Sequence, residues 1–114
     1  MKIREVVAYG HYFEDFLKAL PVKVQNKIYK IIEAVEVLER VPKNYLKSIS
    51  GVRGLYEVRI QLGSDIWRVF CFFENERLVI LLNGFVKNSQ KTPKEEIKLA
   101  TDLMKRYHED KSRK

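Results

Sequence analysis

The chain has one cysteine, three prolines, one tryptophan and two histidines among its 114 residues. Each scarcity removes a class of explanation. A lone cysteine, Cys71, builds neither a disulfide framework nor a thiolate cluster, and its place inside an apolar run reads as a buried, inert thiol. The two histidines, His11 and His108, lie far apart, and neither sits near a serine or cysteine in a recognisable nucleophile-and-base arrangement, which speaks against a serine or cysteine hydrolase. No Cys/His or carboxylate cluster is visible, so neither a metal nor another cofactor is expected. No stretch approaches the ~18 apolar residues of a spanning helix, and the opening MKIREVVAYG has no long apolar segment of a secretory leader. The expectation is a cytoplasmic protein with no membrane partner. Repeats, low-complexity segments and internal linkers are missing too, so residues 1–114 are expected to form one domain, fraying over about residues 108–114.

Acid is missing locally. The chain carries 22 Lys and Arg against 15 Asp and Glu, a formal charge of +7. No acid occurs between Glu39 and Glu57, where Arg40, Lys43, Lys47 and Arg53 lie, or between Glu76 and Glu95, where Arg77, Lys87, Lys91 and Lys94 lie. Charge segregated in this way favours a polyanionic partner over mere solubility.

What the chain does have is a block of strands. Tyr56 to Leu62 alternates strictly, as a half-buried strand does, and Ile66 to Phe73 and Leu78 to Phe85 are nearly continuous apolar runs rich in β-branched and aromatic residues, suited to burial on both faces. A tight turn at Gly63-Ser64 would pair Val58 with Val69, Ile60 with Trp67 and Arg59 with Arg68. A turn at Asn75-Glu76 would pair Val69 with Leu82 and Arg68 with Asn83. Arg59, Arg68 and Asn83 then form a polar row across an apolar sheet. Facing arginines are unfavourable on their own, so the row calls for an external anion or for an internal carboxylate such as Glu57, and the anion is the expectation here. Removing Arg68 would, on that reading, leave the fold intact or stabilise it.

Around this block, Ile3 to Tyr9 reads as an N-terminal strand. Residues 11–20 and 21–42 read as two helices separated at Pro21, the second closed by Pro42, with its lysines and glutamates a solvated face. Residues 43–54 read as a long loop. Thr92-Pro93-Lys94-Glu95 reads as a capping box opening a last helix, with Thr92 as N-cap.

The segments GLYEVR, WRVFCFF and GFVKNSQKTPKEEI, in this order of elements, resemble the RelE/ParE superfamily of bacterial toxins, and in particular its phage-related, HigB-like branch. The resemblance implies an α+β domain: an N-terminal strand, two helices, a three-stranded antiparallel meander completing one sheet, and a C-terminal helix. It implies the toxin of a type II toxin–antitoxin system, an endoribonuclease that cuts messenger RNA in the ribosomal A site and is neutralised by a cognate antitoxin, a small helix-turn-helix protein. Arg59 and Arg68 match basic residues used around the scissile phosphate, with Glu57 as a base or a partner for Arg59, and Lys87 and Lys91 match the basic segment after the last strand. Lys47, Arg53, Asn83 and Phe85 complete the expected RNA contacts. The His or Tyr that some relatives carry near the end of the last strand is replaced here by Asn83-Gly84-Phe85-Val86-Lys87, which leaves the acid and base roles open. A ParE-like gyrase inhibitor and a non-catalytic nucleic-acid-binding module are the rival readings.

Overall fold

In the computed structural model, which describes residues 1–88 and 92–113, the elements run β1 (Glu5–Ala8), α1 (Tyr12–Lys18), α2 (Val22–Val37), β2 (Leu46–Ser48), β3 (Leu55–Leu62), β4 (Asp65–Asn75), β5 (Leu78–Val86) and α3 (Lys94–Ser112). The strands form one five-stranded sheet in the order β1-β5-β4-β3-β2, with β1 parallel to β5 and the other neighbours antiparallel.

The β3–β4 hairpin has the register that the alternation implies: Val58 faces Val69, Ile60 faces Trp67 and Arg59 faces Arg68. Gly63 supplies the left-handed conformation its turn requires, at φ 65°. The β4–β5 hairpin departs from expectation. The Asn75 side chain accepts a hydrogen bond from the Arg77 backbone N–H at 2.8 Å, an Asx turn that moves the loop to Glu76-Arg77. Asn75 consequently pairs with Leu78 rather than turning the chain itself. Two irregularities follow in the ladder, between Phe73 and Asn75 and between Val69 and Cys71. Arg68 therefore faces Phe85, and not Asn83.

Residues 43–54 are not wholly loop, since Leu46–Ser48 pairs with β3 and becomes an edge strand. Three residues are too few for a readable alternation. Helix α2 ends at Val37, well before Pro42. Its last carbonyls are taken by the start of the chain: the Arg4 guanidinium donates to Val35 O, Leu38 O and Glu39 O, and the Ile3 and Arg4 backbone N–H groups donate to Glu36 O. Helix α3 begins at Lys94 with Pro93 at the N-cap and no side-chain cap, one residue later than the expected capping box. At its other end it continues to Ser112 instead of fraying from His108. Tyr9 reaches Asp110, Tyr107 donates to Glu74 at 2.8 Å, and Lys111 pairs with Glu74.

Helices and sheet enclose two apolar layers. On one face Val58, Ile60, Val69, Cys71 and Leu81 meet Phe13 and Leu17 of α1 and Val24, Ile28, Ile31 and Val35 of α2. On the other, Leu55, Phe70, Phe72, Ile80 and Leu82 meet Ala100 and Leu103 of α3. No helix among the described residues is long and apolar enough to cross a membrane. Cys71 is fully buried, and burial alone pushes its thiol up to about 12. Native protein at pH 8 should therefore resist a maleimide that labels the denatured chain stoichiometrically within minutes. Equal labelling rates by mass spectrometry would show the strand opening to solvent.

Candidate nucleic-acid interface

Helix α3 packs on β4 and β5, and the polar side chains of this face lie towards β2 and β3, at the margin of its cover. Alternation sends Glu57 and Arg59 of β3 to that face, because Tyr56, Val58 and Ile60 go to the other. Cross-strand pairing adds Lys47, opposite Glu57, and Arg68, opposite Arg59. Lys87 follows β5, where its backbone N–H prolongs the ladder by donating to Ile66 O at 2.8 Å. The open cleft that results, about 590 Å³, is lined by Lys47, Glu57, Arg59 and Lys87, with Thr92 and Lys94 on the α3 side.

Glu57 is the hub of this cluster. Its Oε2 lies 2.8 Å from Arg68 Nε and 3.4 Å from Arg59 Nε, and Glu57 and Arg68 are only 5% and 4% exposed. The close contact to Arg68 is an ion pair rather than an aligned hydrogen bond, and one Arg68 Nη instead donates to Trp67 O at 3.1 Å. The facing arginines are thus reconciled by an internal carboxylate, Glu57, the alternative to the external anion that was the expectation. The neutralisation is incomplete. One carboxylate serves two guanidiniums, and Lys47 and Lys87 stand beside them. Burial first, then the repulsion of Arg68, Arg59 and Lys47, holds the Lys87 ammonium below its ordinary value, with Glu57 opposing. Burial likewise lowers Arg68, against the attraction of Glu57.

The two arginines are not equivalent. The Arg59 side chain keeps 28% of its surface and spans two hollows, the cleft and a smaller one of about 140 Å³ shared with Asn44 and Arg68. Arg68 lies beneath it. The other expected site residues separate clearly. Asn83 is buried and turned to α3, donating to Glu96 O at 3.1 Å and to Glu96 Oε1 at 3.0 Å, so it anchors the helix rather than facing RNA. Phe85 is buried against Phe70 and offers no free face to a base. Arg53 is exposed in the β2–β3 loop and does not line the cleft. Lys91 lies outside the described residues. His11 pairs with Asp15, and His108 lies against Phe72 and Tyr107. Sequence reasoning missed Lys94, which the turn into α3 brings to the rim of the cleft, although its place in an acid-free stretch was visible.

A larger hollow, about 650 Å³, lies between the N-terminus and the β4–β5 turn. Its Lys2, Arg4, Glu39, Glu76 and Arg77 balance in sign more nearly, and Arg4 is already committed to capping α2. Among the described residues no three His, Cys, Asp or Glu side chains gather to hold a metal ion.

Residues 15–105 match the family described as phage derived protein Gp49-like (DUF891). The chain belongs to that family. The architecture of this Gp49-like protein is also similar to a chain in the crystal structure of the archaeal RelE-RelB complex from Pyrococcus horikoshii OT3, with a TM-score of 0.56 and 19% identity, covering 75% of this chain and 97% of that one. The likeness speaks for the fold, an α+β RelE-like arrangement. Comparison with curated protein sequences finds no match.

Proposed function

We propose that this Gp49-like protein is the toxin of a type II toxin–antitoxin pair, of the HigB type, and that it cleaves messenger RNA in the ribosomal A site. The observation that carries the reading is the cleft itself, where Lys47, Arg59 and Lys87, with Arg68 buried beneath them, surround the carboxylate of Glu57. A cationic pocket holding so little internal acid is suited to a phosphodiester. The RelE-like fold, and the RelB partner in the similar structure, support an antitoxin partner.

The chemistry asked of the cleft is transesterification. The 2′-oxygen attacks the neighbouring phosphorus, the bond from phosphorus to the 5′-oxygen breaks, one proton leaves the 2′-hydroxyl and one reaches the departing 5′-oxygen. The products are a 2′,3′-cyclic phosphate and a 5′-hydroxyl, with no change of oxidation state. Arg59 meets the phosphate, Arg68 reinforces the field from below, and Glu57 holds both guanidiniums in place. Lys87 is the side chain best placed to exchange a proton, because its surroundings disfavour the ammonium form.

The test is cleavage of a translated reporter message mapped by primer extension, with ribosome-free message as control. Lys87→Met should lose about 10²–10⁴-fold in rate, as the loss of an acid–base group does. Lys87→Arg should bind as the wild type but recover little of the rate, since a guanidinium does not give up its proton near neutral pH. Full activity in Lys87→Arg would reduce Lys87 to a phosphate contact. An uncut message overturns the nuclease reading, and inhibited gyrase supercoiling in its place would establish a ParE-like function.

A further inference from the structure

Outside the cleft, the first half of α2 carries a second concentration of positive charge. Lys23, Lys27 and Lys30 follow helical spacing and, with Asn26, line a hollow of about 350 Å³ closed by Leu62 from the β3–β4 hairpin. The solvated-face reading of this helix predicts acids interleaved with the lysines. Here they are segregated: the first turn holds no acid, and Glu33 and Glu36 come only in the second half. Lysines near a helix N-terminus oppose the macrodipole, so helix stability does not explain them. The ion pairs among the described residues engage none of the three.

We infer that this face of α2 is a second RNA-binding surface, which grips the phosphate backbone of a double-stranded segment while the cleft takes a single strand. From Lys23 to Lys30 the stripe extends about 10 Å at the helical rise of ~1.5 Å per residue, room for about three phosphates of one strand. The three ammonium groups are held at the fixed spacing of one helix flank, beside the hollow that Leu62 closes, and such a regular array meets the evenly spaced phosphates of a rigid backbone better than an unstacked base. Because α2 covers the sheet face opposite the cleft, both surfaces can be occupied at once. The choice of RNA as partner rests on the function proposed above, but the surface is tested separately from cleavage.

The experiment compares the wild type with a Lys23→Gln, Lys27→Gln, Lys30→Gln triple variant, since Gln keeps helix propensity. Binding to a blunt RNA duplex of about 16 base pairs, and to a single-stranded oligonucleotide, is followed by fluorescence anisotropy across salt concentrations, with thermal melts alongside. Duplex affinity should fall about tenfold or more, and the slope of log K against log salt should become shallower by about 2–3, one counterion per lost lysine. Single-strand affinity and melting temperature should stay level. A Lys→Arg triple variant, which keeps the charge, should bind duplex as the wild type and separates loss of binding from any loss of helix. Unchanged duplex affinity and slope in the Gln variant would overturn the inference, as would an equal loss for both RNAs. Loss of binding to polyglutamate with duplex binding intact would overturn it in favour of an acidic protein partner. Duplex binding through these lysines in a protein that leaves ribosome-bound message uncut would uphold this surface and overturn the nuclease.

Discussion

Arg68→Ala is expected to cleave about 10²–10³-fold more slowly than the wild type and to melt at a lower temperature. The first effect follows from losing a fixed cation under the phosphate. The second runs against the simplest reading of the sequence, in which deleting one of two facing arginines relieves repulsion. The structure reverses the sign, because Arg68 is the nearer partner of a buried carboxylate. Without it, the ion-pair partner left to Glu57 among the described residues is Arg59 at 3.4 Å. Breaking a buried pair from one side costs about 3–5 kcal/mol, and the remaining arginine argues for the low end, about 3 kcal/mol. For a chain of this size that corresponds to a drop of about 10 °C. Adding Glu57→Gln to Arg68→Ala removes the stranded charge and should restore most of the melting temperature while cleavage stays lost. If the single variant melts with the wild type and cleaves at its rate, Arg68 has neither role. If the double variant melts no higher than the single one, the pair is not what holds this region.

Gly84→Ala should be the most damaging small substitution in the sheet. A Cβ built at Gly84 meets Phe16 Cδ2 at 2.5 Å and Phe16 Cγ and Cε2 at 2.7 Å. Cγ is fixed close to the α1 backbone, so a swing of the ring does not clear the clash and the helix must lift from β5. Overpacking of this kind costs about 1–3 kcal/mol, and three short contacts to the ring, one of them at its root, point to the upper part of that range. Thermal melts should fall by about 10 °C. Phe16→Ala in the same chain should recover part of the loss, a non-additivity that a double-mutant cycle reads directly. Additive effects would mean that the ring has room to leave.

The meander was legible where local chemistry fixed it. Strict alternation from Tyr56 to Leu62 and the Gly63 turn specify one register for β3 and β4, and that register brings Arg59 opposite Arg68. The β4–β5 register was not legible, because an Asx turn at Asn75 and two bulges move the pairing without leaving a hydrophobic signature. That shift separates Asn83 from the arginines and hands it to α3. The C-terminus of α2 was hidden for a different reason: Arg4, more than thirty positions away, takes its final carbonyls, and no cap residue marks the stop. The meaning of Glu57 was open as well. Its alternation showed the face it lies on, but only the fold decides that both arginines reach the same oxygen.

The parallel ladder between β1 and β5 ties the first strand of this sheet in chain order to its last, since Glu5 pairs with Leu78 and Ala8 with Leu81. Contacts of such long sequence separation are slow to form, because the intervening chain must be ordered before they reward closure. A growing chain therefore exposes an unpaired β1 until β5 has emerged. Lys87 comes later still, behind the strand that completes the sheet. No nascent fragment that stops before Lys87 contains the full set of cleft cations, so the cleft is complete only after the strand that closes the sheet.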